Sequence, residues 1–290
     1  MDITFIRTFL ELCQTRHFGK TAHALYITQS AVSARIRHLE EQLGVKLLTR
    51  ERNNIQLTPA GLRFQRHAEN IVSVWNLARQ DTALEDENRS LLSIGAMFSL
   101  WDSSLQSWLG ELRQNRTDIA FQVEAQDADT LLGRIREGAL DLGFLYDPPP
   151  SNQMVSSECG SLELVMVSNE EGLDSETALQ RENYILVNWG TEFLTTHARL
   201  FTGHRPALTR VNLGRLALDQ ISRYGGSAYL ARDMAEPYIT NNTLYYVAEA
   251  PVIERRFFAA YAANSQRKEL IESVLEYFSN PHKVAGNNNS

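Results

Sequence analysis

Apolar positions recur every three or four residues through the first forty or so residues, then shorten into two brief runs, and then resume helical spacing. Ile6, Phe9, Leu10 and Cys13 put one apolar stripe on a helix that Asp2 can cap and that should end near Arg16. After Phe18 and Gly19, a short second helix carries Ala22 and Leu25 inward, and the small Ala22 and Ala24 let another helix come close. Tyr26 and Ile27 make a turn. Thr28 is placed as the N-cap of a third helix whose inner stripe is Val32, Ile36, Leu39 and Leu43, and Gly44 stops it. Residues 47–50 and 55–58 read as two brief strands around Arg52, Asn53 and Asn54, which form a tip carrying a positive charge.

Opposite the inner stripe of the third helix stand Gln29, Ser30, Ser33, Arg35 and Arg37. A helix entering the major groove by its N-terminus presents such groups to base edges, since a Gln amide pairs bidentately with adenine and an Arg with guanine. Ser30 and Ser33 are small enough to let the backbone approach. Arg50 and Arg52 fall on the strand pair and its tip, where cations meet phosphates. Helix, turn, helix and basic hairpin in this order predict a winged helix-turn-helix over residues 1–58.

From Pro59 the chain runs without a further Pro, and without Gly beyond Gly61, to about Asp86. Phe64, Ala68, Ile71, Trp75, Ala78 and Thr82 keep alternating spacings of four and three, the seam of a linker helix over 59–89. Such a helix reaches ~40 Å at 1.5 Å per residue. It either pairs with a copy of itself or lies along the chain's own remainder.

Residues 90–290 predict a two-lobed α/β domain. Strands at 91–97, 119–124 and 140–146 alternate with helices, one placing Leu105, Trp108, Leu109 and Leu112 inward and one over 129–137, which implies parallel pairing. A second series has strands at 162–167, 184–187 and 227–230 with a helix over 213–223. The chain returns through 257–261 to a last helix carrying Leu270, Ile271, Val274 and Phe278, and a mobile tail follows Asn280. Lobe I is then about 90–160 plus 262–280, and lobe II about 161–261. Ligands of such sheets sit beyond the carboxyl ends of strands. That rule selects Phe98, Ser99 and Trp101, then Asp147, then Asn188, Trp189 and Thr191 as lining a cleft. Ser99 near a helix start can join backbone N–H groups in holding an anionic group, and Trp101 and Trp189 offer stacking surface.

Charge sharpens this division. The net charge of −7 hides a split, because residues 1–80 hold eleven Lys/Arg against six Asp/Glu, +5, which leaves −12 for the rest. Only the head has to neutralise phosphates. No apolar run reaches eighteen residues and no basic-apolar leader precedes the first helix, so a cytoplasmic protein without membrane contact is expected. Cys13 and Cys159 fall in different units and read as reduced thiols. The seven histidines show no metal-ligand spacing, and there is no glycine-rich phosphate loop. No catalytic residue, cofactor or metal is expected; the competing reading is a two-lobed solute-binding protein or enzyme.

The run Thr21-Ala22, Leu25, Thr28-Gln29, Ala31, Ser33, Ile36, Leu39-Glu40, Leu43-Gly44, Leu47, Arg50 and Leu57-Thr58-Pro59-Ala60-Gly61 resembles the winged helix-turn-helix of the LysR-type transcriptional regulators. Leu48 stands where many members carry Phe, and residues 228–231 after Gly225-Gly226 lack a proline common in the family. The resemblance implies sequence-specific binding to double-stranded promoter DNA as a homodimer or homotetramer. It further implies a two-lobed, periplasmic-binding-protein-like effector domain, a small-molecule effector, and RNA polymerase as a further contact.

Overall fold

The computed structural model describes residues 2–51, 54–82, 89–150 and 152–279. The chain divides into two compact units, Met1–Glu87 and Asn88–Ser290.

The first unit runs α1 (Ile3–Thr15), α2 (Phe18–Ala24), α3 (Gln29–Leu43), β1 (Leu48–Glu51), β2 (Asn54–Leu57) and α4 (Pro59–Thr82). Each helix start is satisfied by a side chain. Asp2 Oδ1 accepts from the Thr4 amide at 2.8 Å, His17 Nδ1 from the Gly19 and Lys20 amides at 3.0 and 3.2 Å, and Thr28 Oγ1 from the Ala31 amide at 3.2 Å. Gly44 ends α3 at φ 69°, a left-handed conformation that costs glycine little. Ile6, Phe9, Leu12, Ala22, Val32, Ile36, Leu39, Leu47 and Ala68 form one buried core.

Several positions expected to face inward are less than fully buried. Leu10 and Cys13 are only half-buried, and Leu12 takes the inner place. Ala24 is exposed, because residues two apart on a helix point about 200° from each other and Ala22 has the inner side. Leu43 stays 36% exposed in the last turn of α3, where the stripe runs past its cover.

The strand pair is antiparallel, with Leu48 opposite Leu57 and Glu51 opposite Asn54. Thr58 ties it to α4: its hydroxyl donates to the Lys46 carbonyl at 2.7 Å and accepts from the Gly61 amide at 2.9 Å. A Cβ on Gly61 would stand 2.1 Å from the Leu47 carbonyl oxygen, so this approach needs glycine. The early part of α4 belongs to the head, with Phe64 against Phe9 at 5.3 Å and Ala68 fully buried. Farther on, Ile71, Val74 and Trp75 are 37%, 38% and 47% exposed.

The second unit is a nine-stranded mixed sheet flanked by helices. Its first half holds β3 (Ser90–Ala96), α5 (Phe98–Leu100), one π-helical turn (Trp101–Leu105), α6 (Gln106–Asn115), β4 (Ile119–Ala125), α7 (Ala128–Arg136) and β5 (Leu142–Leu145). Then follow β6 (Met154–Ser168), α8 (Ser175–Gln180), β7 (Tyr184–Val187), α9 (Thr191–Leu200), β8 (Thr209–Val211), α10 (Gly214–Tyr224), β9 (Ser227–Ala231), α11 (Arg232–Thr240), β10 (Tyr245–Tyr246), β11 (Ile253–Ala262) and α12 (Lys268–Ser279). The order is β4-β3-β5-β11-β6-β9-β7-β8, with β10 on β6.

Strand β3 pairs in parallel with β4 and β5, and β7 in parallel with β8 and β9. These are two α/β lobes. The long strands β6 and β11 join them, antiparallel from Ala262 opposite Met154 to Ile253 opposite Leu164, with a register shift between Phe257 and Phe258. Helices α8, α9 and α11 and strands β8 and β10 were not anticipated; they are short, and α11 contains Pro237. Among the described residues no helix is long and apolar enough to cross a membrane. The region after Asn280 lies outside the described residues.

Candidate functional site

Helix α3 supplies one polar surface. Thr28, Gln29, Ser30 and Arg37 are exposed and Ser33 is half-buried. Helical geometry sets Gln29, Ser30, Ser33 and Arg37 on one side, with Thr28 at its N-terminal cap and its hydroxyl 2.9 Å from that of Ser30. Arg35 stands apart. It is two residues from Arg37, hence about 200° around the helix, and its Nη1 donates to Thr8 Oγ1 at 3.2 Å on α1. The structure therefore groups four of the five outward residues and draws the fifth back into the head.

Two neighbours escaped the sequence reading. Glu40 is 8% exposed, and its carboxylate accepts from the Leu47 amide at 2.9 Å, the Leu48 amide at 3.3 Å and Lys46 Nζ at 2.7 Å. It fastens the start of the strand pair to α3. The readable signal is its position four residues after Ile36, which sets a carboxylate on the inner side of the helix. Lys46 is 73% exposed and, with Phe18, Ser33, Ile36, Arg37, Glu40 and Leu48, lines a groove of about 240 Å³. A second cation thus stands beside Arg37 and Ser33. Arg50 lies on β1 opposite Ile55, with its side chain outside the described residues, as is the whole of Arg52.

The second polar constellation lies where the lobes of the α/β unit meet. Ser99 is buried, its Oγ 2.8 Å from the Tyr146 hydroxyl, and burial pushes that phenol's pKa well up. Phe98 is half-buried beside it, and half-buried Trp101 donates Nε1–H to the Glu124 carbonyl at 2.8 Å. Trp189 is wholly buried, donating to the Tyr229 carbonyl at 3.0 Å and meeting Tyr146 edge-on at 6.3 Å. Expected as stacking surface, it is core. Asn188 and Thr191 are exposed, and Asn188 Oδ1 accepts from the Gly190 amide at 3.0 Å.

Arg255 on β11 joins these pieces and was not anticipated. It is 1% exposed; Nε donates to the Trp189 carbonyl at 2.8 Å, Nη2 to Asp147 at 2.5 Å and Nη1 to Glu192 at 2.5 Å, while its guanidinium carbon lies 5.2 Å from the Tyr146 ring centre. Asp147 follows β5 of lobe I, and Glu192 is in the first turn of α9 in lobe II. Gly190, at φ 92°, makes the approach feasible, because a Cβ there would lie 2.7 Å from Arg255 Nη2 and 2.9 Å from Tyr146 Cβ. The signal was the alternation Ile253, Arg255, Phe257, which puts a cation on the buried side of a strand. Asp102, on the π-helical turn of lobe I, faces the start of α10 in lobe II: burial raises its carboxyl pKa, and the Arg215 amide and charge act against that.

Comparison with known proteins agrees with both units. Residues 3–62 match the description "Bacterial regulatory helix-turn-helix protein, lysR family", and residues 85–280 match "LysR substrate binding domain". The transcriptional regulator HdfR of Yersinia enterocolitica is 35% identical over 284 residues, 95% of this chain and 96% of that protein. HdfR of Escherichia coli strain UTI89 is 34% identical over 280 residues, 95% and 97%. Among solved structures, the LysR family regulator CbnR superposes with a TM-score of 0.73 at 18% identity over 96% of this chain and 97% of that one. Vibrio fischeri DarR in complex with DNA gives 0.57 at 20% identity, over 97% and 99%. These relatives are regulators rather than enzymes. A reading head with the family's spacing, joined to a two-lobed sheet of the family's topology and matched almost end to end, makes this chain a member of the LysR family of DNA-binding transcriptional regulators.

Proposed function

We propose that this regulator reads promoter DNA with Gln29, Ser30, Ser33 and Arg37 in the major groove, with Thr28 and Lys46 beside them and Arg50 and Arg52 on phosphates. The observation that carries the reading is the groove shared by Ser33, Arg37 and Lys46, held in place by buried Glu40. Arg35 acts behind this surface, through Thr8. Residues 1–58 are the reader and 59–89 the linker, whose exposed Ile71, Val74 and Trp75 support pairing of two copies, and two such dimers form a tetramer. Residues 90–290, with lobes at about 90–160 plus 262–280 and 161–261, hold a small-molecule effector between Phe98, Ser99, Trp101, Asp147, Asn188 and Thr191, with Trp189 behind them as support. The protein works in the cytoplasm, with RNA polymerase as a further contact. Solute capture or catalysis would leave the reading head without a purpose.

Binding measured by fluorescence anisotropy against salt tests the assignment. Arg50→Ala and Arg52→Ala should weaken all duplexes alike and reduce the salt slope by about 1 each. Gln29→Ala and Ser33→Ala should narrow the gap between operator and random duplex. Identical behaviour of the two classes, or no preference for any duplex, overturns the reading.

A further inference from the structure

Arg255 is a cation enclosed on three sides by buried groups and on the fourth by half-exposed carboxylates. The Trp189 carbonyl and the Tyr146 ring are buried, and Arg255 itself sits in the β6–β11 pairing opposite Leu162. Its two charged partners are not: the side chains of Asp147 and Glu192 are 49% and 55% exposed, against 1% for Arg255. Both carboxylates hang from segment ends, one from each lobe. A guanidinium offers planar, paired N–H donors that fit a carboxylate, and here the carboxylates those donors meet are themselves half-exposed. Replacing one of them by an external carboxylate keeps the local charge of the cluster and removes one tie between the lobes.

We propose that Arg255 is an anion-recognising centre of the cleft, occupied in this conformation by the chain's own Asp147 and Glu192, and that the small-molecule effector is a carboxylate-bearing compound which displaces one of them. This deepens the effector reading given above and rests on it. The consequence is regulatory. With both carboxylates in place, Arg255 ties Asp147 of lobe I to Trp189 and Glu192 of lobe II; exchange of Asp147 releases lobe I, whereas after exchange of Glu192 the Trp189 carbonyl still holds Arg255 to lobe II. A ligand that binds the freed arrangement better shifts the population toward it.

The test uses the full chain, with acetate as probe and chloride at equal ionic strength as reference. Asp147→Ala leaves one pair of N–H donors open, and acetate should raise its melting midpoint by about 2–4 °C over chloride. The wild type should respond less, since its own carboxylate competes at high local concentration. Arg255→Lys keeps the charge and loses the planar fork; added to Asp147→Ala it should abolish the acetate preference. Equal midpoints in acetate and chloride for Asp147→Ala, or the same acetate shift with Lys at 255, overturns the proposal. Two outcomes separate it from the effector reading. A neutral compound that stabilises wild type and Arg255→Lys alike, and changes operator affinity, sinks the anion centre and leaves the effector cleft standing. Acetate that binds Asp147→Ala through Arg255 without altering operator affinity sustains the anion centre and counts against the effector reading.

Discussion

The two polar surfaces of this protein are built in opposite ways. On α3, Gln29, Ser30 and Arg37 are left in water and carry little of the head's stability, which rests on Ile6, Phe9, Val32, Ile36 and Leu39 beneath. In the cleft, Arg255 is buried and held by partners from two separated segments, Asp147 on one and Trp189 with Glu192 on the other, so recognition and stability share the same atoms. A surface of the first kind can change specificity freely. One of the second kind can change only together with its partners.

The largest effect should follow from breaking that second arrangement. Asp147→Ala with Glu192→Ala leaves Arg255 buried without a counter-charge, a situation that costs about 3–5 kcal/mol when a buried pair loses its partner. Water can reach the half-exposed positions vacated, so urea unfolding should report the lower end of that range. Each single variant should lose far less, because the other carboxylate remains. The coupling between the two is itself the measurement: additive single losses would mean the carboxylates act independently of the guanidinium.

Next is Glu40→Ala, the nearest thing in the head to the cleft's construction. It strips the Leu47 and Leu48 amides of their acceptor, and an unsatisfied buried donor costs about 1–3 kcal/mol. Hydrogen exchange should speed up at those two amides in particular. By contrast Gln29→Ala, on the water-facing surface, should stay within about 0.5 kcal/mol of wild type. Thr28→Ala falls between, losing about 1 kcal/mol because its hydroxyl caps α3 as well as facing outward. A Gln29→Ala variant as destabilised as Glu40→Ala would erase the distinction between the two kinds of surface.

The same distinction explains what was legible in the sequence. In the head, each assignment depends on neighbours a few residues away: Thr28 caps what starts at Gln29, Gly44 stops it, and Thr58 with Gly61 turns the hairpin into α4. Helical spacing turns Arg35 and Ala24 away from the side expected for them, each standing two residues from a partner it cannot share a side with. Strands and crossovers of the body were readable from their apolar runs, and the rule of strand carboxyl ends selects Ser99, Asp147 and Trp189, which the fold gathers around Tyr146 and Arg255. Arg255 was out of reach of that rule. It lies 108 residues from Asp147 and 63 from Glu192, near the start of a strand instead of beyond its carboxyl end. Only the topology, with β11 threaded between the lobes, brings the three together.

The smallest effect concerns pH, and it separates burial without a charged partner from the paired burial of Arg255. His197 on α9 stacks on Tyr184 at 5.7 Å, with its Nε2 2.7 Å from the Tyr184 hydroxyl, and meets the rings of Phe193, Phe201 and Tyr229. Desolvation, aided by the charge of neighbouring His204, lowers its pKa from 6.5 to about 4. As pH falls below 6.5, the unfolded chain gains a proton at this site that the folded one refuses until about 4. The unfolded state binds more protons across that window, so stability declines through it and is fully present above it. Carboxylates contribute to acid unfolding as well, which makes the comparison between variants the informative one. In His197→Gln, the unfolding midpoint should fall less steeply between pH 6.5 and 4 than in wild type, while Gln29→Ala, on the water-facing surface, should follow the wild-type curve. Parallel curves for His197→Gln and wild type would mean that His197 takes its proton as readily folded as unfolded, and that its ring cluster is wetter than the contacts with Tyr184, Phe193 and Tyr229 imply.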